Sequence, residues 1–159
     1  MEKLLGDFID VKQGHNPRFP ISLRGSWFGI NRRFRLLLEN IQLTPVQYTV
    51  LRNLFESKGV QLNQQKLASL LSSNENNLTS ILNRLESLGM IQRVSKESDR
   101  RKKFISLSAK GKHTFLQARK QAEFLQSRIL LEFTEKESTQ LLLFLDRCSK
   151  KLDSLKVKI

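Results

Sequence analysis

The chain has 159 residues, with 28 Lys and Arg against 15 Asp and Glu, giving a formal net charge of +13. A hydrophobic share of 39% excludes a wholly disordered chain and suffices for one domain with a buried core. The longest unbroken apolar run, Leu141-Leu142-Leu143-Phe144-Leu145, is far too short for a membrane span, and the single cysteine, Cys148, excludes both an internal disulfide framework and a zinc site of several thiolates. Acidic residues near Met1 stand where a signal peptide would have its apolar stretch, so the expected location is cytoplasmic and no membrane partner is expected. The positive excess by itself admits nucleic acid, an anionic surface or mere solubility.

In chain order, residues 1–21 show no sustained period and contain Gly14, Pro17 and Pro20, which reads as an extended arm. Over 22–41 the apolar positions Trp27, Ile30, Phe34, Leu37 and Ile41 are spaced three and four apart, a helical stripe. Thr44-Pro45-Val46-Gln47 starts the next helix, with Thr44 as N-cap, Pro45 at the first position and Gln47 closing a capping box; Gly59 is its expected stop. A short extended piece at 60–62 leads to Asn63, the cap of a helix over 64–71, and a turn at 72–74 leads to a helix over 75–88. Leu78, Ile81, Leu82 and Leu85 form the apolar stripe of that helix, and Gly89 supplies its left-handed C-cap.

Beyond Gly89 the period changes. Residues 91–94 and 104–107 read as two strands around a polar, turn-rich 95–101, a hairpin with Arg100-Arg101-Lys102-Lys103 at its tip. A helix opens at Ser108-Ala109-Lys110 and runs through Phe115, Ala118, Ala122, Leu125 and Ile129. Thr134-Glu135-Lys136-Glu137 is a second capping box, and the last helix carries Leu141, Leu145, Cys148, Leu152 and Leu155 in a heptad-like seam. The expected fold is mostly α with a small β-hairpin wing: a winged helix-turn-helix with additional helices at both ends.

Two short helices followed directly by a hairpin place the second helix as a recognition element. Opposite its apolar stripe lie Asn76, Ser80, Asn83 and Ser87, flanked by Thr79 and Arg84. These short hydrogen-bonding side chains can reach base edges, and the helix N-terminus around Asn74 offers amide hydrogens to a phosphate. Such a face can equally be an ordinary solvated one. The cationic wing shifts the balance, since it suits an arm along phosphates with an arginine in the minor groove. Residues 60–113 hold 10 basic residues against 4 acidic ones, the most positive stretch of the chain.

Residues 67–111 resemble the DNA-binding core of the MarR family of bacterial transcriptional regulators. The likeness rests on Leu67-Ala68-Ser69-Leu70-Leu71, Asn83-Arg84-Leu85-Glu86-Ser87-Leu88-Gly89-Met90-Ile91, Asp99-Arg100-Arg101 and Ile105-Ser106-Leu107-Ser108-Ala109-Lys110-Gly111. The resemblance implies that Asp99 orients a wing arginine, Arg101, toward the minor groove and that Arg84 meets the backbone or a base. Glu75, Asn77 and Ser80 depart from the family pattern, where proline, a hydroxyl residue and arginine are frequent, so an operator sequence cannot be borrowed from relatives. The resulting DNA-contacting set is Asn74, Asn76, Asn77, Thr79, Ser80, Asn83 and Arg84 on the helix, with Asp99, Arg100, Arg101, Lys102 and Lys103 on the wing.

The domain reading is a DNA-binding domain over 42–111 and a helical dimerisation region over 22–41 and 112–157. The terminal stripes serve either one larger helical domain or an interface between chains. The resemblance implies the second, a homodimer joined through Leu141, Leu145, Cys148, Leu152 and Leu155 and reading a pseudo-palindrome in double-stranded DNA. A thiol in such a seam is expected to be a small buried packing group rather than a redox sensor. Trp27, Phe28, Tyr48 and Phe55 either line a pocket for a small-molecule effector or pack in the core. His15 and His113 lack metal-ligand spacing, and neither a Gly-rich phosphate loop nor a nucleophile with its base is recognisable. The expectation is a transcriptional regulator, a repressor, with no cofactor, no metal and no enzymatic activity. An RNA-binding or assembly role for the basic surface is the competing class.

Overall fold

The computed structural model describes residues 21–58, 60, 62–71, 75–96 and 99–154; the side chains at 21–22, 75–76, 95–96, 99–102 and 153 lie outside that description. The arm read at 1–21 lies outside it except for residue 21, which opens helix α1 (Ile21–Leu38). The stripe expected to carry one helix to Ile41 instead tightens into a 3-10 turn, Glu39–Ile41, and Gln42 turns the chain with φ of 56°.

Helix α2 (Pro45–Glu56) begins as its sequence dictates. Thr44 Oγ1 accepts from the Gln47 amide at 3.2 Å, and Gln47 Oε1 accepts from the Thr44 amide at 2.9 Å. The reciprocal pair satisfies two donors that the first helical turn would otherwise leave open. The chain leaves α2 through Ser57 and Lys58, which has φ of 47°; Gly59, the expected stop, lies outside the described residues.

The extended piece before α3 (Gln64–Leu70) is a strand, β1 (Leu62–Asn63), and Asn63 Oδ1 accepts from the Lys66 amide at 2.8 Å to cap α3. Helix α4 (Glu75–Ser87) follows, then β2 (Ile91–Lys96) and β3 (Asp99–Leu107). The sheet is antiparallel with order β1-β3-β2, so the expected two-stranded hairpin gains a third, very short strand. Leu62 pairs with Ile105 and Ile91 with Leu107.

The strands run further than apolar alternation indicates, and the register is irregular between Ser95 and Lys96. Arg100 to Lys103 therefore belong to strand β3 rather than to the tip. An antiparallel ladder is held by backbone hydrogen bonds, so a ribbon can continue past the core with polar side chains on both faces.

Helices α5 (Ala109–Leu130) and α6 (Glu135–Ser154) complete the described chain, which divides between Ala118 and Arg119 into two compact units. In the first unit Leu38, Val50, Leu51, Leu67, Leu78, Leu82, Leu85 and Phe115 are fully buried. Phe34 meets Tyr48 edge-on, and Phe115 stacks on Tyr48 and packs at a tilt against Phe55, with ring centroids 5.7 and 4.8 Å away. This aromatic cluster ties the N-terminal helices to the start of α5.

In the second unit α6 starts with the expected box. Thr134 Oγ1 accepts from the Glu137 amide, and Glu137 Oε2 accepts from the Thr134 amide at 2.8 Å. The Thr134 amide and the Thr134 hydroxyl both donate to Oε2 and lower the Glu137 carboxyl from its ordinary value. Leu142, Leu143, Phe144, Leu145 and Leu152 are exposed, as is Leu131 at 70%. Cys148, expected as a buried thiol, is also exposed, because the seam that carries it faces outward in the single chain.

Candidate nucleic-acid interface

Helix α4 owes its orientation to the three-and-four spacing of its leucines. Leu78, Leu82 and Leu85 are completely buried and Ile81 is half-buried, which turns the opposite side to solvent. Asn77, Ser80, Asn83, Arg84 and Ser87 are exposed there, and Thr79 is half-buried on the flank. The structure thus groups Asn77, Thr79, Ser80, Asn83 and Arg84 on and beside one face. Asn74 lies outside the described residues, as does the side chain of Asn76.

Two side-chain ties fix this helix. Gln64 Nε2, at the start of α3, donates to Thr79 Oγ1 at 2.6 Å. On the wing side, Arg93 Nη2 in β2 donates to Asn83 Oδ1 at 2.8 Å, and Arg93 Nη1 pairs with Glu86 Oε2. Sequence reasoning assigned no role to Gln64 or Arg93. The signal for Arg93 was the i, i+3 pair of acceptors Asn83 and Glu86 on one flank, with Arg93 the first cation of the strand beyond the turn.

The C-terminus of α4 is closed tightly. Gly89 has φ of 68°, its amide donates to Glu86 O at 2.8 Å, and the Met90 amide donates to Leu85 O at 2.9 Å. This is a Schellman pair, and the left-handed residue it requires is the glycine the sequence supplies. Ser108 then stitches the base of the hairpin to the same turn: its hydroxyl donates to Gly89 O at 2.6 Å and its amide to Met90 O at 3.1 Å. The same hydroxyl accepts from the Gly111 amide at 2.9 Å and so caps α5. Gly111 is demanded by proximity, since a Cβ there would stand 1.9 Å from the Met90 carbonyl oxygen.

Helix α4, the base of the wing and the start of α5 therefore meet in one hydrogen-bonded knot, with Ile91 and Ile105 buried at the hairpin base. Of the wing cations, Lys103 is exposed opposite Ser95; the side chains of Asp99, Arg100, Arg101 and Lys102 lie outside the described residues.

The other predicted groups separate. Tyr48 and Phe55 join the Phe115 cluster, whereas Trp27 and Phe28 on α1 are 64% and 58% exposed, with the Arg24 guanidinium 5.5 Å from the Phe28 ring centre. The structure does not bring these four together. Leu141 is half-buried, Leu145, Cys148 and Leu152 are exposed, and Leu155 lies outside the described residues. Among the described residues no cluster of His, Cys, Asp and Glu could hold a metal, and no helix is long and apolar enough to cross a membrane.

A polar face on a fixed second helix beside a cation-bearing hairpin defines a winged helix-turn-helix protein. The MarR family model matches residues 43–103. The homoprotocatechuate degradative operon repressor of Escherichia coli is 32% identical over 108 residues, 68% of this chain and 72% of the relative. The transcriptional repressor CouR, solved bound to a 23-mer DNA duplex, is similar with TM-score 0.74 and 27% identity over 80% of this chain and 89% of that one. NadR, solved with 4-hydroxyphenylacetate, shares the fold with TM-score 0.72 and 24% identity over 91% of this chain and 98% of that one. The chain belongs to the MarR family and is a DNA-binding transcriptional regulator. That family is one of regulators rather than enzymes.

Proposed function

We propose that the protein is a repressor that acts as a homodimer on a pseudo-palindromic duplex, its half-sites one helical turn or ~10 bp apart. The observation that carries this reading is the exposed polar face of α4 fixed beside the cationic strand β3. The repressor name of the E. coli relative and the DNA-bound state of CouR support it. Asn76 and Ser80 contact base edges in the major groove, with Asn77, Thr79, Asn83 and Arg84 around them and the amides near Asn74 on a phosphate. Asp99 orients Arg101, which with Arg100 enters the minor groove, and Lys102 and Lys103 meet phosphates. Residues 42–111 make up the DNA-binding domain; 22–41 and 112–157 join the two chains, with the seam Leu141, Leu145, Cys148, Leu152 and Leu155 between them.

Release from DNA by a small-molecule effector is part of the same proposal, and the protein works in the cytoplasm without a cofactor or any enzymatic step. Of Trp27, Phe28, Tyr48 and Phe55, the first two, on α1, are exposed and open to such a ligand. The E. coli relative is named for an operon that degrades an aromatic acid, so aromatic acids are the first compounds to titrate against the DNA complex.

The test is selection of genomic fragments by the purified protein, followed by titration of the selected duplex. Arg101→Ala weakens binding to every duplex, and the loss is carried in a shallower salt dependence. Asn76→Ala instead changes base preference; equal loss on all sequences would remove Asn76 from the base-contacting set. Preference for structured RNA over every duplex would overturn the reading.

A further inference from the structure

Arg93 of β2 is not one of the groups expected to touch DNA, yet its guanidinium crosses to the recognition helix. It donates from Nη1 to Glu86 Oε2 and from Nη2 to Asn83 Oδ1. Glu86 and Asn83 stand three residues apart and are neighbours on one flank of α4, so the fork of a guanidinium can grip both where an ammonium could hold one. The Arg93 side chain is 21% exposed, which shields the contact in part from solvent ions.

The chemistry of this grip fixes the orientation of Asn83. A guanidinium has five donors and no acceptor, so the carboxamide must turn its oxygen to Arg93. Its Nδ2 then points away from the Arg93 guanidinium, and Asn83 is an exposed residue of the helix. Paired reading of adenine needs both ends of an asparagine carboxamide at one base edge, the oxygen accepting from N6 and the nitrogen donating to N7. Arg93 takes one of the two lone pairs of that oxygen and fixes the plane of the carboxamide, which leaves both Nδ2 donors unspent by this contact. Those donors fit phosphate oxygens, the O6 and N7 edge of guanine, or O4 of thymine.

We infer that Arg93 is a positioning residue that locks the wing strand to the recognition helix and sets Asn83 to donate from Nδ2 to acceptor groups of the DNA. This rests on the proposed role of α4 as the base-contacting helix. Arg93 itself makes no phosphate contact; it acts through Asn83 and through the angle between helix and wing.

The test uses the full chain, the duplex recovered by genomic selection and a random duplex of equal length, with anisotropy titrations at several salt concentrations. Arg93→Gln lowers affinity for the selected duplex about tenfold while the salt slope stays that of the unaltered protein. A slope reduced by about one would make Arg93 a phosphate ligand and overturn the inference, as would unchanged affinity.

A second variant, Asn83→Asp, is at an exposed position and keeps an acceptor for Arg93 while removing both donors. It loses about as much affinity as Arg93→Gln, and the double variant loses less than the product of the two. Asn83→Asp binding at full strength would overturn the donor assignment. If the unaltered protein itself prefers no duplex, the base-contacting role of α4 fails; if it does and both variants preserve that preference, the inference alone fails.

Discussion

Leu78, Leu82 and Leu85 on α4 are withdrawn completely from solvent, whereas Leu142, Leu143, Phe144, Leu145 and Leu152 on α6 remain exposed. The first set lies in a unit whose helices and small sheet close around one core, with caps at Thr44, Asn63 and Gly89. The second lies on a well-capped helix that has apolar surface left over. Clustered exposed apolar side chains mark an interaction surface rather than a folding core. One region thus satisfies its burial within the chain and carries the exposed polar face of α4; the other keeps apolar surface uncovered, which is why the dimer seam is proposed there.

Paired truncations separate the two regions. Leu82→Ala removes a fully buried side chain and lowers unfolding free energy by about 3 kcal/mol, read from denaturant titration. Leu145→Ala changes that quantity for a lone chain by less than about 1 kcal/mol, yet raises the dimer dissociation constant about tenfold, read by sedimentation. Equal effects of the two on chain stability would erase the distinction.

The knot at the hairpin base gives the next effect. Gly111→Ala forces a Cβ into the Met90 carbonyl and costs about 3 kcal/mol, with lower thermal stability before any loss of DNA contacts is measured. A substitution tolerated there would mean that α5 can move away from the wing.

The smallest effect belongs to the start of α6. The folded-state pKa of Glu137 lies below its ordinary value, so its carboxylate stabilises the cap above the unfolded-state pKa. That contribution is lost as pH falls through the folded-state value. Glu137→Gln removes this pH dependence, and thermal melts of the two proteins between neutral and acid pH converge at the acid end.

The elements with strong local chemistry were legible in the sequence. The Thr44–Gln47 and Thr134–Glu137 boxes, the Asn63 cap and the Gly89 turn depend on residues a few positions apart, and each formed as its spacing requires. The leucine stripe of α4 likewise determined which face is polar. The full extent of β2 and β3 was not legible, because a ladder continued by backbone hydrogen bonds leaves no apolar alternation through Arg100 to Lys103. Nor was the grip of Arg93 on Asn83 and Glu86, a contact between a strand and a helix that periodicity does not encode. Tyr48 and Trp27 were indistinguishable as aromatic positions on helices; only packing against Phe115 separates the core ring from the exposed one.

Equilibrium titration of a genomically selected duplex, with the number of chains bound counted by sedimentation, tests the assignment most directly. Two chains bind each duplex, at least about a thousandfold more tightly than a random duplex at moderate salt. Equal affinity for both duplexes, or a single chain on the selected one, would contradict a dimeric, sequence-reading repressor.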